Sequence, residues 1–266
     1  MKISIVTINY NGAISLDRTI QSVIAQTHAD VEYVVIDGGS TDASLEILKK
    51  YESRIHFWSS EKDRGISHAF NKGIAACHGE WIGIINSDDW YEPNIVELVA
   101  DLAGKNPQAE VICGGMQNWE CGKKEMFLMP DKNIDRIKSE MILAHPACFI
   151  KKSAYEKYGI FDESYRYAMD YELFLRFYLK GAQFLLVNSH FSNMQLNGKS
   201  GRFWYKACHE ILRAHLQYFK SPIGSYADFL FKIFRTGFRT LLCKTGLGSF
   251  VAFWRSFQST KRYPRD

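Results

Sequence analysis

The sequence predicts an α/β domain built on a mostly parallel central sheet flanked by helices, with a helical C-terminal extension. Three observations carry this. Apolar, β-branched runs alternate with segments of helical periodicity through the first hundred residues. Those strand runs are apolar throughout rather than alternating, as strands covered on both faces are. Basic and aromatic residues then interleave from about residue 221 in a pattern unlike anything before it.

Taken in order, "KISIVTIN" is the first strand, after which Leu16, Ile20, Val23 and Ile24 recur on one helix face. "EYVVIDGGS" is a second strand running into a glycine turn, followed by a helix over about 43–50 carrying Leu45, Ile47 and Leu48. "RIHFWSS" is a third strand, and a helix spans about 66–76. "EWIGIIN" is the fourth strand, a helix opens at Pro93, a favoured first-turn residue, and "AEVICGG" completes the series. This β-α-β-α order implies parallel strands joined by crossover helices. In open sheets of that kind ligands bind beyond the carboxyl ends of the strands. Tyr10, Asp37, the charged stretch 61–64 that ends in Arg64, and the adjacent Asp88 and Asp89 all follow such ends, so they are expected to meet on one edge. Asp also favours turns and helix caps, which is the purely structural alternative for each of them.

With 266 residues and 46% hydrophobic content, the chain can form one large domain or one domain with an appendage. The N-terminus is too short in apolar residues and too polar for a signal-peptide core, so a cytoplasmic protein is expected. Six cysteines lie far apart with no C-x-x-C pair, which speaks against a zinc site or a disulfide framework and for reduced thiols. Eight of the 33 basic residues but only two of the 29 acidic ones lie from Ser221 onward, so the net charge of +4 belongs to the C-terminal end. No nucleic-acid partner is expected.

Paired carboxylates at a strand end, without His or Cys beside them, suit a hard cation such as Mg²⁺ or Mn²⁺, which completes its shell with water and substrate phosphates. A diphosphate ligand follows. "DGGSTD" matches neither dinucleotide nor P-loop phosphate motifs, so those readings lose their support.

"SIVTINYNG", "VVIDGGSTD", "DRGISHAFNKGIAACHGEWIGIINSDD" and "FDESYRYAMDYELFLR" together resemble glycosyltransferase family 2, inverting nucleotide-sugar enzymes of the GT-A fold. The resemblance covers roughly residues 2–190. It implies that Asp37 receives the imino hydrogen of the nucleotide base with Tyr10 packed nearby, and that Asp89 is the direct metal ligand. Asp88 would then face the ribose or donor sugar, and Arg64 would approach the diphosphate. It further implies a nucleotide-sugar donor, UDP-linked as a first expectation, a glycan or lipid-linked acceptor, and a role in surface polysaccharide or glycolipid synthesis. A sugar nucleotidyltransferase and an inactive carbohydrate-binding or scaffold protein on the same fold are the alternatives.

The acceptor side needs a base. In "AMDYELFLRFYLKG", Glu172, Arg176 and Lys180 form one polar stripe, so Glu172 has a partner in Arg176. Asp170 lies off that stripe, leaving a helix N-cap or catalysis. The resemblance assigns it the base role, with Met169 in place of the acid that usually precedes it. No third metal ligand is legible: His190 reads as a strand-terminal histidine, His145 as a core or turn histidine, and the Gly- and Ser-rich stretch 197–202 as a loop able to close over the diphosphate.

The expected organisation is a catalytic domain over 1–202, with a nucleotide-sugar-binding half (1–115) and an acceptor-side half (116–202), and a helical extension over 203–266. From about 221 that extension is basic and amphipathic, and its longest uncharged stretch, 245–254, is far below the roughly 20 residues that span a bilayer. Peripheral contact with the inner face of the cell membrane is expected, the alternative being packing on the catalytic domain or in a dimer.

Overall fold

The computed structural model describes residues 1–120, 122–196 and 204–221, with 224, 226, 229, 230, 233 and 234 beyond. Two compact units divide the chain, Met1–Phe203 and Trp204–Asp266. In the first, β1 (Ile3–Asn9) lies at the centre of a parallel block, between β2 (Val31–Asp37) and β4 (Trp81–Asn86), with β3 (Phe57–Ser60) beyond β2. The register is level: Asn9 is opposite Asp37, Asp37 opposite Ser60, and Ile8 opposite Asn86. Four carboxyl ends therefore form one row, which is what brings the residues after them together.

The crossover helices α1 (Leu16–Ile24), α2 (Ser44–Lys50) and α3 (Ile66–Ala76) turn their apolar faces inward, with Leu16, Ile20, Val23 and Leu48 buried and Ile24, Leu45 and Ile47 partly so. Leu16, Ile20 and Val23 are buried beside Ile3, Ile5, Val35 and Trp81 in the principal core. At Gly73 the backbone of α3 approaches β1 so closely that a β-carbon would lie 2.3 Å from Val6, hence a residue without one. Helix α4 (Ile95–Lys105) begins two residues after Pro93, because Asn94 takes a left-handed conformation and becomes its cap.

The second half departs from simple alternation. Next to β4 stands β8 (Cys148–Lys151), running antiparallel, and beyond it β6 (Val111–Glu120) and β9 (Phe184–Gln195), which return to the direction of β4. The two-residue β5 (Trp90–Tyr91) closes against β9, and β7 (Lys123–Leu128) pairs with β6 as a hairpin. Among the described residues six of nine strands thus share one direction, the mostly parallel sheet expected. Helices α5 (Lys152–Tyr158) and α6 (Met169–Leu179) belong to this half.

One expectation fails here. Cys113 and Cys148 are register partners on β6 and β8 and are joined as a disulfide, so these two are not free thiols. They stand 35 residues apart, and only the antiparallel insertion of β8 makes them neighbours. Cys77 remains a free, buried thiol.

His145 is a core histidine, as its context suggested, set among Phe70, Phe161 and Phe174 with 7% of its surface exposed. Burial pushes its pKa from 6.5 down to about 4. Because the folded state disfavours the charged ring, the stability that it supports above pH 6.5 is lost as pH falls towards about 4, a loss on the order of 3 kcal/mol. Urea midpoints are expected to fall across that window in the wild-type protein and to fall less in His145→Phe. Identical profiles would show that His145 does not govern the acid response.

In the second unit the described helix is α7 (Trp204–Tyr218). Among the described residues no helix is long and apolar enough to cross a membrane. The stretch 197–202 and most of the basic extension lie outside the described residues.

Candidate active site

The turns after β1 and β2 are laced together at the level strand ends. The Asp37 carboxylate accepts from Asn9 Nδ2 (2.7 Å) and Ser40 Oγ (2.6 Å) on Oδ1, and from the Gly39 and Ser40 amides (3.1 and 2.9 Å) and Ser60 Oγ (2.6 Å) on Oδ2. Burial alone would raise its pKa, but these hydrogen bonds from Ser40, Ser60 and Asn9 outweigh it and hold the carboxyl below its usual range. With five donors and no exposed surface, Asp37 braces this turn from within. The brace fixes the Gly38–Gly39 turn, and over it stands Tyr10, 67% exposed, an open aromatic face at the end of β1. Asn11, in a left-handed conformation, adds a second tie by accepting from the Thr41 amide at 2.8 Å.

Asp88 and Asp89 occupy the turn after β4. Helix α1 grips this turn by its carbonyls: Thr19 Oγ1 donates to Asp89 O (2.6 Å) and Arg18 Nη2 to Asp88 O (2.9 Å), while the Arg18 guanidinium lies 3.6 Å from the centre of the Trp90 ring. Asp88 is half-buried and Asp89 only 1% exposed. The Asp89 carboxylate receives Asn86 Nδ2 at 3.1 Å and the Gln195 amide at 3.3 Å. Burial first, and then the neighbouring Asp88 charge, push its pKa well above the carboxylate range, and Asn86, Gln195 and Arg18 only partly offset them. A buried carboxylate beside another one is the environment in which a bound divalent cation restores the ionised form.

The donor set fits such an ion on the terms that hard cations accept, two carboxylates with the other positions left to water and phosphate oxygens. Among the described residues no group of three or more His, Cys, Asp and Glu side chains comes together as a full protein cage. His190 is not at a strand end: β9 continues to Gln195, and the His190 ring contacts Ser192 O (2.9 Å) and Glu92 Oε1 (3.7 Å). It is the end of β9, through the Gln195 amide, that reaches Asp89. Arg18 and Gln195 escaped the sequence reading because their partners lie 70 and 106 residues away.

Arg64 follows β3 as expected. Its Nε and Nη2 donate to Glu163 Oε2 at 3.2 and 2.7 Å, which gives it a carboxylate partner in the segment before α6. Further ties join α3 to the same segment: Ser67 Oγ donates to Tyr165 O (2.9 Å), and Asn71 exchanges two hydrogen bonds with Phe161 (2.9 and 3.0 Å). They hold the approach to α6, and so Asp170, against a helix that starts at the strand-end edge. Asp170 is the second residue of α6 and half-buried. The N-cap is Ala168, without a side-chain cap, so Asp170 is not the cap, and its Oδ1 receives the adjacent Tyr171 amide at 2.8 Å. Glu172 is 1% exposed and pairs with Arg176 through bonds of 2.8 and 3.1 Å, while Arg176 also binds the carbonyls of Tyr158, Gly159 and Ile160 after α5. Its partner is the one that the polar stripe predicted.

The family described as Glycosyl transferase family 2 matches residues 4–169. An uncharacterized glycosyltransferase of Mycobacterium tuberculosis is 32% identical over 177 residues, which cover 65% of this chain and 68% of that one. Chondroitin synthase of Escherichia coli is 30% identical over 199 residues, 72% of this chain but 28% of the relative. Among solved structures, Staphylococcus aureus TarS 1–349 in complex with UDP-GlcNAc superposes with a TM-score of 0.66 at 18% identity, covering 88% of this chain and 73% of that one. The mannosyltransferase PcManGT of Pyrobaculum calidifontis in complex with GDP-Man and Mn²⁺ gives 0.65 at 13% identity, covering 96% and 80%. By the family match across most of the catalytic unit, and by the sheet and strand-end edge that accompany it, the chain belongs to glycosyltransferase family 2 and has the GT-A fold.

Proposed function

We propose that this glycosyltransferase moves a sugar, with inversion, from a nucleotide diphosphate donor to an acceptor hydroxyl, using Mg²⁺ or Mn²⁺ at Asp88 and Asp89 and Asp170 as base. The observation that carries the metal-dependent reading is the acidic turn, two adjacent carboxylates, one almost wholly buried, at the level edge of the parallel strands. The presence of Asp37, Asp88, Asp89 and Asp170 together disfavours an inactive scaffold. The nucleotidyltransferase reading lacks a basic, glycine-rich first loop.

A bound divalent ion supplies Lewis-acid stabilisation of the negative charge left on the departing diphosphate oxygen. The chain's own residues do the rest. Tyr10 offers its face to the nucleobase over the turn that Asp37 braces, Asp88 faces the ribose or donor sugar, and Arg18 and Thr19 keep the acidic turn from shifting. Asp170 takes the proton from the acceptor hydroxyl as the new bond forms. Attack from the side opposite the diphosphate inverts the anomeric centre.

The donor is first taken as a UDP-sugar, a choice supported by the UDP-GlcNAc complex of TarS, with GDP as the alternative that the GDP-Man complex of PcManGT brings. A thermal-shift panel of UDP, GDP and their sugars with and without Mn²⁺ tests this. A ligand that binds only the folded state raises its midpoint by an amount that grows with the ratio of concentration to Kd. A rise for one nucleotide that needs the metal is expected; no rise for any of them would refute the donor class.

The proposed division is a catalytic domain over 1–202 and an extension over 203–266 that contacts the inner face of the membrane, where a lipid-linked or glycan acceptor for surface polysaccharide would be met. Tyr226, Leu230 and Phe234, spaced four apart, are 50, 63 and 70% exposed, an apolar stripe at helical spacing in a basic segment. The full chain is expected to co-sediment with anionic liposomes at low salt, each basic residue near the surface adding about 1 kcal/mol. A chain truncated after Ser221 is expected to stay in the supernatant and still bind nucleotide. Equal sedimentation of the two would remove the extension from the reading.

A further inference from the structure

Between the start of α3 and the segment leading into α6 lies a cavity of about 200 Å³, whose lining includes Arg64, Ser67, His68, Glu163, Arg166 and Tyr167. It is smaller than the roughly 300–1,000 Å³ that encloses a whole ligand, so it holds one substituent rather than a sugar chain. Two guanidinium groups, an imidazole and one carboxylate are among the groups that line it. That carboxylate, Glu163, is engaged with Arg64, and both of its bonds fall on Oε2 from Nε and Nη2. A guanidinium presents further donors in a planar fork that matches carboxylate and phosphate oxygens.

One wall of this cavity is the start of α3, the helix that follows β3. On its other wall Arg166 and Tyr167 precede Asp170 by four and three residues. We propose that the cavity binds an anionic substituent of the acceptor, a phosphate or carboxylate group, and so sets the hydroxyl next to it against Asp170. Arg64 and Arg166 are the ligands, and Glu163 is the counter-ion that holds Arg64 in place before the acceptor arrives. The assignment of this anion to the acceptor rests on the reading of Asp170 as base.

The test is calorimetric titration of the full-length protein with inorganic phosphate, with glucuronate and with neutral glucose, each with and without saturating UDP and Mn²⁺. Phosphate or glucuronate is expected to bind equally well with the nucleotide present, glucose not at all, and the anion preferred identifies which group the acceptor carries. Arg64→Gln and Arg166→Gln are each expected to weaken the anion about tenfold, the loss of one charge-assisted contact. Glu163→Gln is expected to tighten it several-fold by removing the competing carboxylate, which a merely structural role for Glu163 would not do. Competition between phosphate and UDP would place the anion in the donor site and overturn the proposal, as would unchanged affinity in both arginine variants. If UDP does not bind, the donor reading fails while titration of the free protein still decides whether the cavity takes an anion.

Discussion

Asp170→Asn is expected to leave nucleotide affinity nearly unchanged and to lower sugar transfer by about two to four orders of magnitude, the usual contribution of a positioned general base. The amide keeps an oxygen to accept the Tyr171 N–H at the start of α6 and keeps the shape of the side chain, so the helix should form as before. What it loses is the ability to take a proton. The contrast is Glu172→Gln, two residues on. Glu172 and Arg176 are almost fully buried against one another, and removing one charge of such a pair costs about 3–5 kcal/mol because the other is left uncompensated. That variant is expected to melt lower while transferring sugar normally per folded molecule. An active Asp170→Asn beside a stable but inactive Glu172→Gln would exchange the two roles. Transfer assays normalised to the folded fraction, with melting curves alongside, distinguish these outcomes.

Asp89→Asn is expected to abolish the metal-dependent part of nucleotide binding while leaving the metal-free protein as stable as the wild type or more so. Both effects have one cause. Burial and the adjacent Asp88 make Asp89 an unfavourable place for a charge, so the carboxylate costs stability unless a cation sits beside it. A neutral amide removes that cost and the reason for the cation together, the usual exchange between stability and function at a site. Nucleotide affinity in Mn²⁺ should fall by at least about tenfold, to the level seen with a chelator. A large drop in melting temperature in metal-free buffer would mean that Asp89 is a structural acceptor, and equal diphosphate affinity with chelator and with Mn²⁺ would refute the metal.

The first four strands were legible because their information is local. Apolar runs broken by helix periodicity give β1 to β4 in order, and level parallel pairing then brings Asp37, Asp88 and Asp89 to one edge. What could not be read was how each carboxylate would be used there. Nothing in "DGGSTD" says that Ser40 and Ser60 converge on Asp37, since Ser60 arrives on a separate strand. Likewise the Arg64–Glu163 pair joins residues 99 positions apart, beyond the reach of local pattern. The cysteines misled for the same reason: spacing predicts local loops, whereas Cys113 and Cys148 meet across a strand pair. Asp170 stands out only because Glu172 has Arg176, a pairing that helical spacing does reveal.

The reversed strand β8 has a consequence for the order of events during synthesis. One side of β4 is covered by β1, made earlier, but its other side pairs with residues 149–151, which the ribosome adds some 65 positions after Asn86. At about 5–20 residues per second that interval is roughly 3–13 s. Throughout it the nascent chain carries Trp81 and Ile82 on a strand with a bare edge, the kind of template that recruits other chains. A ribosome pausing between residues 90 and 150 would prolong that exposure, whereas one pausing after β8 has emerged would not. Exposure of the β4 edge therefore belongs to a stage of synthesis, since β1 and β8 cover both of its sides in the finished sheet.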